Sequence, residues 1–367
     1  MMKKRLISLL SAAALISTMA ATPVHAAGND WQKAYYDKLK EINSSVITAR
    51  NMSFSLYDLD GNDTPELLVS RGTEQVCKCE IYTFNGGKAV KVGDTGSFGS
   101  IVYSPSTKTI ATITADQNGS QYKICRMDKN KLTTVLTAKE KVQTSDSGKT
   151  SIKYTVNGKD AKKDEFTKAI DKQIDSETLV LGRGFSFSSD EMSYAVKGVS
   201  DYKTAYKAIL TNRLKGGDKD QVFSLTDITG DGVPELILNY TDVYTWSDKR
   251  INYLGIIGID DFGSDFPIDD KTTFTVGYNK KSKIICVTLK TGSSVHDQYF
   301  RVEKDHMHSI VSITDIAGKS KHTYLIDGDT SNKSAYEKQH DKYGKAEYDK
   351  LGKEYKFTKS DIASALK

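Results

Sequence analysis

Cysteine is scarce in this chain of 367 residues. Cys77, Cys79, Cys125 and Cys286 are too few and too scattered to staple a small fold, which excludes a disulfide framework as the main source of stability. One bridge from Cys77 or Cys79 to Cys125 is compatible with the sequence, and so is a set of buried thiols. Cys77-Lys78-Cys79 lacks further ligands at a spacing that zinc would need. An excess of one charge is also missing. The formal net charge is +5, and without the three basic residues at the N-terminus it falls to +2, which excludes a strongly basic nucleic-acid binder and an acidic solvating tail. No apolar run reaches the roughly 20 residues of a membrane span. There is no G-x-S-x-G elbow, Walker loop or H-E-x-x-H helix, so no motif points to an enzyme.

What is present begins with a leader. Lys3, Lys4 and Arg5 precede an apolar stretch from Leu6 to Ala21 and a small-residue ending at Val24-His25-Ala26. These are the three regions of a secretory signal peptide spanning 1–26, so the protein is expected to be secreted and extracellular. No cysteine follows the apolar stretch, so a lipid anchor is not expected. The remaining length is that of two domains, and 38% hydrophobic residues with 20 Tyr and 12 Phe supply material for two cores.

Two domains are expected because the chain repeats itself. Phe54 to Val69, FSLYDLDGNDTPELLV, returns as Phe223 to Leu238, FSLTDITGDGVPELIL. Trp31, Tyr35 and Leu39 match Tyr202, Tyr206 and Leu210; Tyr103 matches Tyr278; Gln121-Tyr122 matches Gln298-Tyr299; Asn157-Gly158 matches Asp327-Gly328; and Phe187 to Lys197 matches Phe357 to Lys367. The offsets lie between 169 and 177 residues. Two tandem homologous domains, 28–197 and 198–367, follow, with a junction near Gly198 to Ser200. Helical spacing of Trp31, Tyr35, Leu39 and Ile42, and of Tyr202, Tyr206, Ile209 and Leu210, opens each copy with an amphipathic helix. Short strands come next at 79–84, 101–104, 108–114, 120–127, 132–138 and 150–156, joined by turns too tight for parallel crossovers. The expected fold class is α+β, each domain an antiparallel β-meander with helices flanking one face.

The repeated loop carries the chemistry. Alternate positions hold Asp58, Asp60, Asn62, Thr64 and Glu66 in the first copy and Asp227, Thr229, Asp231, Val233 and Glu235 in the second. Calcium takes six to eight hard oxygens at about 2.3–2.6 Å, and alternate side chains of a tight loop can wrap one ion. Val233 has no side-chain oxygen, but that position commonly offers its backbone carbonyl. Gly61 and Gly230 allow the sharp turn, and Pro65 and Pro234 steer the chain out in an extended conformation. A metal-free hairpin turn would use the same Asp, Asn and Gly residues. Four carboxylates in the first loop, Asp58, Asp60, Asp63 and Glu66, repel one another unless a cation compensates. The second loop has three, so weaker binding is expected there.

On these residues the loops resemble the Asp-x-Asp-x-Asp-Gly class of EF-hand-like calcium loops, and Asp58 to Leu67 looks like the strand-loop-strand version in FG-GAP-type repeats of secreted and adhesive proteins. The layout is similar to that of secreted proteins of Gram-positive bacteria with this signature. The loops depart from an EF-hand, whose last ligand is at position 12 between helices, and from dockerins, whose paired loops lie closer together. The resemblance covers about 16 residues in each copy and implies calcium as cofactor.

Further candidates lie in the second copy. Tyr240, Tyr244, Trp246 and Tyr253 follow the loop, with Asp260, Asp261, Asp265, Asp269 and Asp270 after them. Aromatics beside acids would suit a glycan or protein ligand; core tyrosines beside a solvated acidic loop would give the same pattern. His306-Met307-His308 aligns with Lys129-Asn130-Lys131 and is expected to be an exposed turn. The expected function is a secreted calcium-binding protein that is a non-enzymatic structural or ligand-binding module. The alternative is a secreted hydrolase with structural calcium.

Overall fold

The computed structural model describes residues 30–45, 52–116, 118–128, 130–144, 150–174, 178–217, 221–258, 266–303, 306–318 and 321–367. The leader read from the sequence lies outside the described residues, as do Asp260, Asp261 and Asp265. The chain is β-rich with few helices, and among the described residues every strand pairing is antiparallel. Contacts divide it into two compact units at Lys197 and Gly198.

In the N-terminal unit, helix α1 (Asp30–Ser45) buries Trp31, Tyr35, Leu39 and Ile42 on one stripe, as their three- and four-residue spacing requires. Strands β1 (Ser53–Tyr57), β2 (Glu66–Ser70), β3 (Cys79–Asn85) and β4 (Lys88–Thr95) make a four-stranded sheet in chain order. Seven more strands make the second sheet: β5 (Ile101–Ser104), β6 (Thr109–Asp116), β7 (Gly119–Asp128), β8 (Lys131–Thr144), β9 (Thr150–Val156), β10 (Lys159–Ala161) and β11 (Leu179–Leu181). Its order is β10-β9-β8-β7-β6-β5-β11. All five residues of β2 are buried because both faces are covered. Leu68 joins Ile81, Ile101, Tyr103, Ile110 and Met127 in the core between the sheets, while α1 packs on β3 and β4.

Helix α2 (Lys163–Asp171) lies on the larger sheet, placing Phe166 against Tyr122 and Tyr154. The segment after α2 ties the sheets together. Its strand β11 pairs with β5, and Phe185 then exchanges backbone hydrogen bonds of 2.9 and 3.0 Å with Phe54 of β1. The Phe54 ring meets those of Phe185 and Phe187 at 5.4 and 5.6 Å. Helix α3 (Ser189–Val196), capped by Ser188, packs on α1.

The C-terminal unit opens with α4 (Tyr202–Gly216), capped by Asp201 and stopped by Gly217 in the left-handed region at φ 103°. Strands β12 (Val222–Thr226), β13 (Glu235–Leu238), β14 (Asp242–Ser247) and β15 (Arg250–Ile256) form the smaller sheet. The larger contains β16 (Thr273–Asn279), β17 (Ile284–Thr291), β18 (Ser294–Val302), β19 (Met307–Ala317), β20 (His322–Ile326) and β21 (Asp329–Ser331). Helix α5 (Lys333–Gln339) runs into a π-helical turn, His340–Gly344. The returning segment again serves both sheets: β22 (Asp349–Lys350) pairs with β16, and β23 (Glu354–Lys356) pairs with β12. Phe223 meets Tyr355 at 5.3 Å and Phe357 at 5.6 Å, and α6 (Lys359–Ala365) packs on α4.

Two expectations need correction. Each unit holds two sheets rather than one, because alternation tells which face of a strand is buried and not which strand it joins. The meander breaks between β4 and β5, where Gly96 and Gly99 take left-handed conformations. The Gln-Tyr pairs also occupy different ladder positions. Tyr299 faces Cys286, the partner of Gly277, whereas Ala111, the partner of Val102, faces Ile124. Asp297 therefore stands where the N-terminal unit has Tyr122. A two-residue offset keeps the same face, so side-chain matching alone tolerates it.

Candidate metal centre

Both repeated loops join the first two strands of a smaller sheet. In the first, Asp58 is the hub: Oδ1 accepts the N–H groups of Gly61 and Asn62 at 2.7 and 3.1 Å, and Oδ2 accepts that of Asp63 at 2.9 Å. Asp60 accepts from the Asn62 backbone and side-chain amide, each at 3.1 Å, and Asn62 accepts the Thr64 N–H at 2.8 Å. The loop closes on Glu66, a fully buried residue whose Oε2 accepts the Leu59 N–H at 2.8 Å while Oε1 accepts from the Thr83 hydroxyl at 3.3 Å. Leu59, also buried, anchors the turn in the core, and its carbonyl accepts from the Tyr103 hydroxyl at 3.0 Å.

This folding brings one carboxylate oxygen each from Asp58, Asp60 and Glu66 within 4.8 Å of one another. Among the described residues it is the one such group of three metal-ligating side chains. Burial pushes the Glu66 carboxyl up to about 8, with the charges of Asp60 and Asp58 adding to it. Burial and the neighbouring Asp58 raise Asp60 as well. A divalent cation would reverse both effects by stabilising the charged forms. Each carboxylate oxygen has two lone-pair directions, so an oxygen holding one N–H retains capacity for a cation. Asn62, exposed, and Thr64, half-buried, the other residues read as ligands, stand on the same turn. The Lys108 ammonium donates to the Asp60 backbone carbonyl at 2.9 Å rather than to a carboxylate.

The second loop has the same frame and a different charge arrangement. Glu235, again fully buried, accepts from the N–H groups of Ile228 and Thr229 at 2.9 and 3.1 Å and from the hydroxyls of Thr229 and Thr245 at 3.2 and 2.9 Å. Burial lifts its carboxyl up to about 7. Thr229, at the place of Asp60, uses its hydroxyl on Glu235. Asp231 accepts the Val233 N–H at 2.8 Å, and Asp227 that of Gly230 at 2.7 Å. Lys280 forms a 2.9 Å ion pair with Asp227. Burial works upward on Asp227, but Lys280 and the Gly230 N–H pull it below the usual carboxylate range. The protein thus supplies its own cation to this loop.

The opening helices reach the loops through matched tyrosines. Tyr206 donates to the Pro234 carbonyl at 2.9 Å, and burial, then the charge of Glu66, holds the Tyr35 hydroxyl neutral far above its ordinary range.

The four aromatics read as a ligand platform do not share a surface. Tyr244 is fully buried, with its hydroxyl accepting from Arg213 at 3.2 Å, so it belongs to the core. Tyr253 donates to Asp242 at 2.8 Å and Trp246 to the Val199 carbonyl at 3.4 Å. Tyr240 lines a cleft. His308 is buried in β19 rather than exposed in a turn, with its ring 5.7 Å from that of His306. All four cysteines are free thiols; Cys79, Cys125 and Cys286 are buried. Among the described residues no helix is long and apolar enough to cross a membrane.

No protein-family profile matches the chain, and no curated protein matches it. Among solved structures, a protein of Lactobacillus plantarum is similar at 8% identity, with 82% of this chain and 83% of that chain covered and a TM-score of 0.22. Prolyl oligopeptidase B from Galerina marginata gives 8% identity, 83% and 47% coverage and a TM-score of 0.20. TolB from Acinetobacter baumannii gives 9%, 76%, 62% and 0.15. At these scores the likenesses carry no argument about fold or activity.

Proposed function

We propose that the protein is a secreted, calcium-stabilised and non-enzymatic binding or structural module, built as a tandem duplication of one unit. The duplication is supported by the shared order of strands, by the returning segment that serves both sheets in each unit, and by the paired buried glutamates Glu66 and Glu235. Secretion is supported by the leader sequence.

The observation that carries the calcium assignment is the gathering of Asp58, Asp60 and Glu66 oxygens within 4.8 Å, one of them on a fully buried residue. Three carboxylates in that space repel one another, and a hard divalent cation removes the repulsion. The first loop is the principal site, since Lys280 already neutralises Asp227 in the second. Calcium acts as a clasp that fixes the β1–β2 and β12–β13 turns against their cores. Calorimetric titration of metal-free protein with calcium tests this. One tighter site, lost in Asp58→Ala and retained in Asp227→Ala, is expected; no heat of binding, or equal loss in both variants, contradicts it.

A further inference from the structure

We propose that the cleft between the two sheets of the C-terminal unit binds an ammonium group carried on an aliphatic residue, the chemistry shared by a free apolar amino acid and by the N-terminus of a peptide whose first residue is apolar. This assignment rests on reading the protein as a binding module and names the ligand class. The cleft encloses about 330 Å³, within the size range of small-ligand sites. Its wall is partly aliphatic, with Ile237 and Leu351 buried and Val222 beside them, and Ser224 and Thr275 add two hydroxyls. Its mouth carries Tyr240, Phe274, Lys350 and Glu354, and Phe274 is 40% exposed.

The mouth has the shape that a compact cation prefers. The Tyr240 and Phe274 rings meet edge to face, with centroids 6.1 Å apart and planes at 64°, so they form a corner rather than the flat platform on which a sugar ring stacks. An aromatic corner attracts a cation through the negative faces of its rings. The Tyr240 hydroxyl donates to the Glu354 carboxylate, which holds a negative charge at the same corner. Lys350, on the same lining, provides a counter-charge for the carboxylate or carbonyl oxygen that lies three bonds from an α-ammonium nitrogen. The aliphatic residues of the wall then take the side chain, whose apolar surface gains by leaving water.

Tyr240 is held in place at a conformational cost. It sits at φ 59°, directly after Asn239 at φ 51°, and a bulky residue rarely occupies the left-handed region unless its surroundings impose it. The N-terminal unit provides an internal comparison. Ser55 pairs with Leu68 as Ser224 pairs with Ile237, so Arg71 stands at the position of Tyr240. Val102 pairs with Ala111 as Gly277 pairs with Cys286, so Gly99 stands at that of Phe274. Arg71 is engaged by Glu80 at 2.6 Å. A Cβ on Gly99 would lie 2.0 Å from both the Gly72 carbonyl and the Ser70 hydroxyl. Backbone contact closes the corner in one unit, and two aromatic rings line it in the other.

The test is calorimetric titration of the full secreted chain, in calcium buffer, with L-leucine, the peptide Leu-Gly-Gly, its N-acetylated form and N-acetylglucosamine. Melting curves establish that the Glu354→Gln and Phe274→Ala variants are folded. Binding of L-leucine or Leu-Gly-Gly is expected, with at least a tenfold loss on acetylation and in each folded variant. The stronger of the two amines identifies the source as free amino acid or peptide terminus. The proposal is overturned if neither amine binds, if acetylation leaves affinity unchanged, or if only the sugar binds. Calcium titration of the same sample reports on the metal clasp separately, so loss of one binding event without the other shows which of the two assignments has failed.

Discussion

The Glu66 carboxylate accepts the backbone N–H of Leu59 at 2.8 Å from a position with no solvent exposure. Seven residues apart, the two close the calcium-like turn into a ring whose base is core and whose rim is acidic. Because burial raises the Glu66 carboxyl up to about 8 from 4.5, its protonated form contributes stability that is fully present below pH 4.5 and lost as pH rises through about 8. In chelator, wild type should therefore lose on the order of 3 kcal/mol relative to Glu66→Gln between pH 5 and 9. In calcium the order should reverse, because the amide cannot supply the charge. Urea denaturation of both proteins across that pH range checks this.

Lys280 is expected to compete with metal for Asp227 at the second loop. Lys280→Met should strengthen calcium binding there roughly twofold to fivefold, since the exposed ion pair it removes is worth little in itself. The first loop should be unaffected. Competition titration with a fluorescent chelator resolves the two sites.

His296 makes the C-terminal unit acid-sensitive. The residue is fully buried on β18, with Nδ1 2.9 Å from the Thr314 hydroxyl, and burial drives its pKa down to about 4 from 6.5. The folded-state value lies below the unfolded one, so this contribution is fully present above pH 6.5 and is lost as pH falls through about 4. Wild type should lose about 3 kcal/mol relative to His296→Gln over that window, as measured by urea denaturation at each pH.

Phe223, 1% exposed and placed between Tyr355 and Phe357, joins β12 to the returning segment. Phe223→Ala should cost about 3–5 kcal/mol and lower the melting of the C-terminal unit alone, leaving a separate transition for the N-terminal unit in calorimetry.

Much of each smaller sheet and its opening helix was legible in the residues. Trp31, Tyr35, Leu39 and Ile42 mark their helix because helical spacing puts them on one side, and the turn residues around Asp58 and Asp227 bracket the loop. Strand β4 leaves no clear signal because it lies at a sheet edge and is mostly half-buried or exposed, so it lacks a clean alternation. The division into two sheets, and the pairing of Phe185 with Phe54, depend on contacts between distant residues that leave no local period. Among the aromatics, sequence could not separate core Tyr244 from Tyr240 at the cleft, since both are tyrosines near the same hairpin. The competing cation, Lys280, lies 53 residues from Asp227, and only the fold brings them together.

The most direct test of the central claim is thermal melting in millimolar calcium and in excess chelator, for wild type, Asp58→Ala and Asp227→Ala. At a dissociation constant near 10⁻⁵ M, calcium adds about 2.7 kcal/mol. The account predicts that chelation lowers the N-terminal unit's midpoint by roughly 5–10 °C, that Asp58→Ala removes this difference, and that Asp227→Ala preserves it. An unchanged midpoint in wild type on removing calcium would contradict the account.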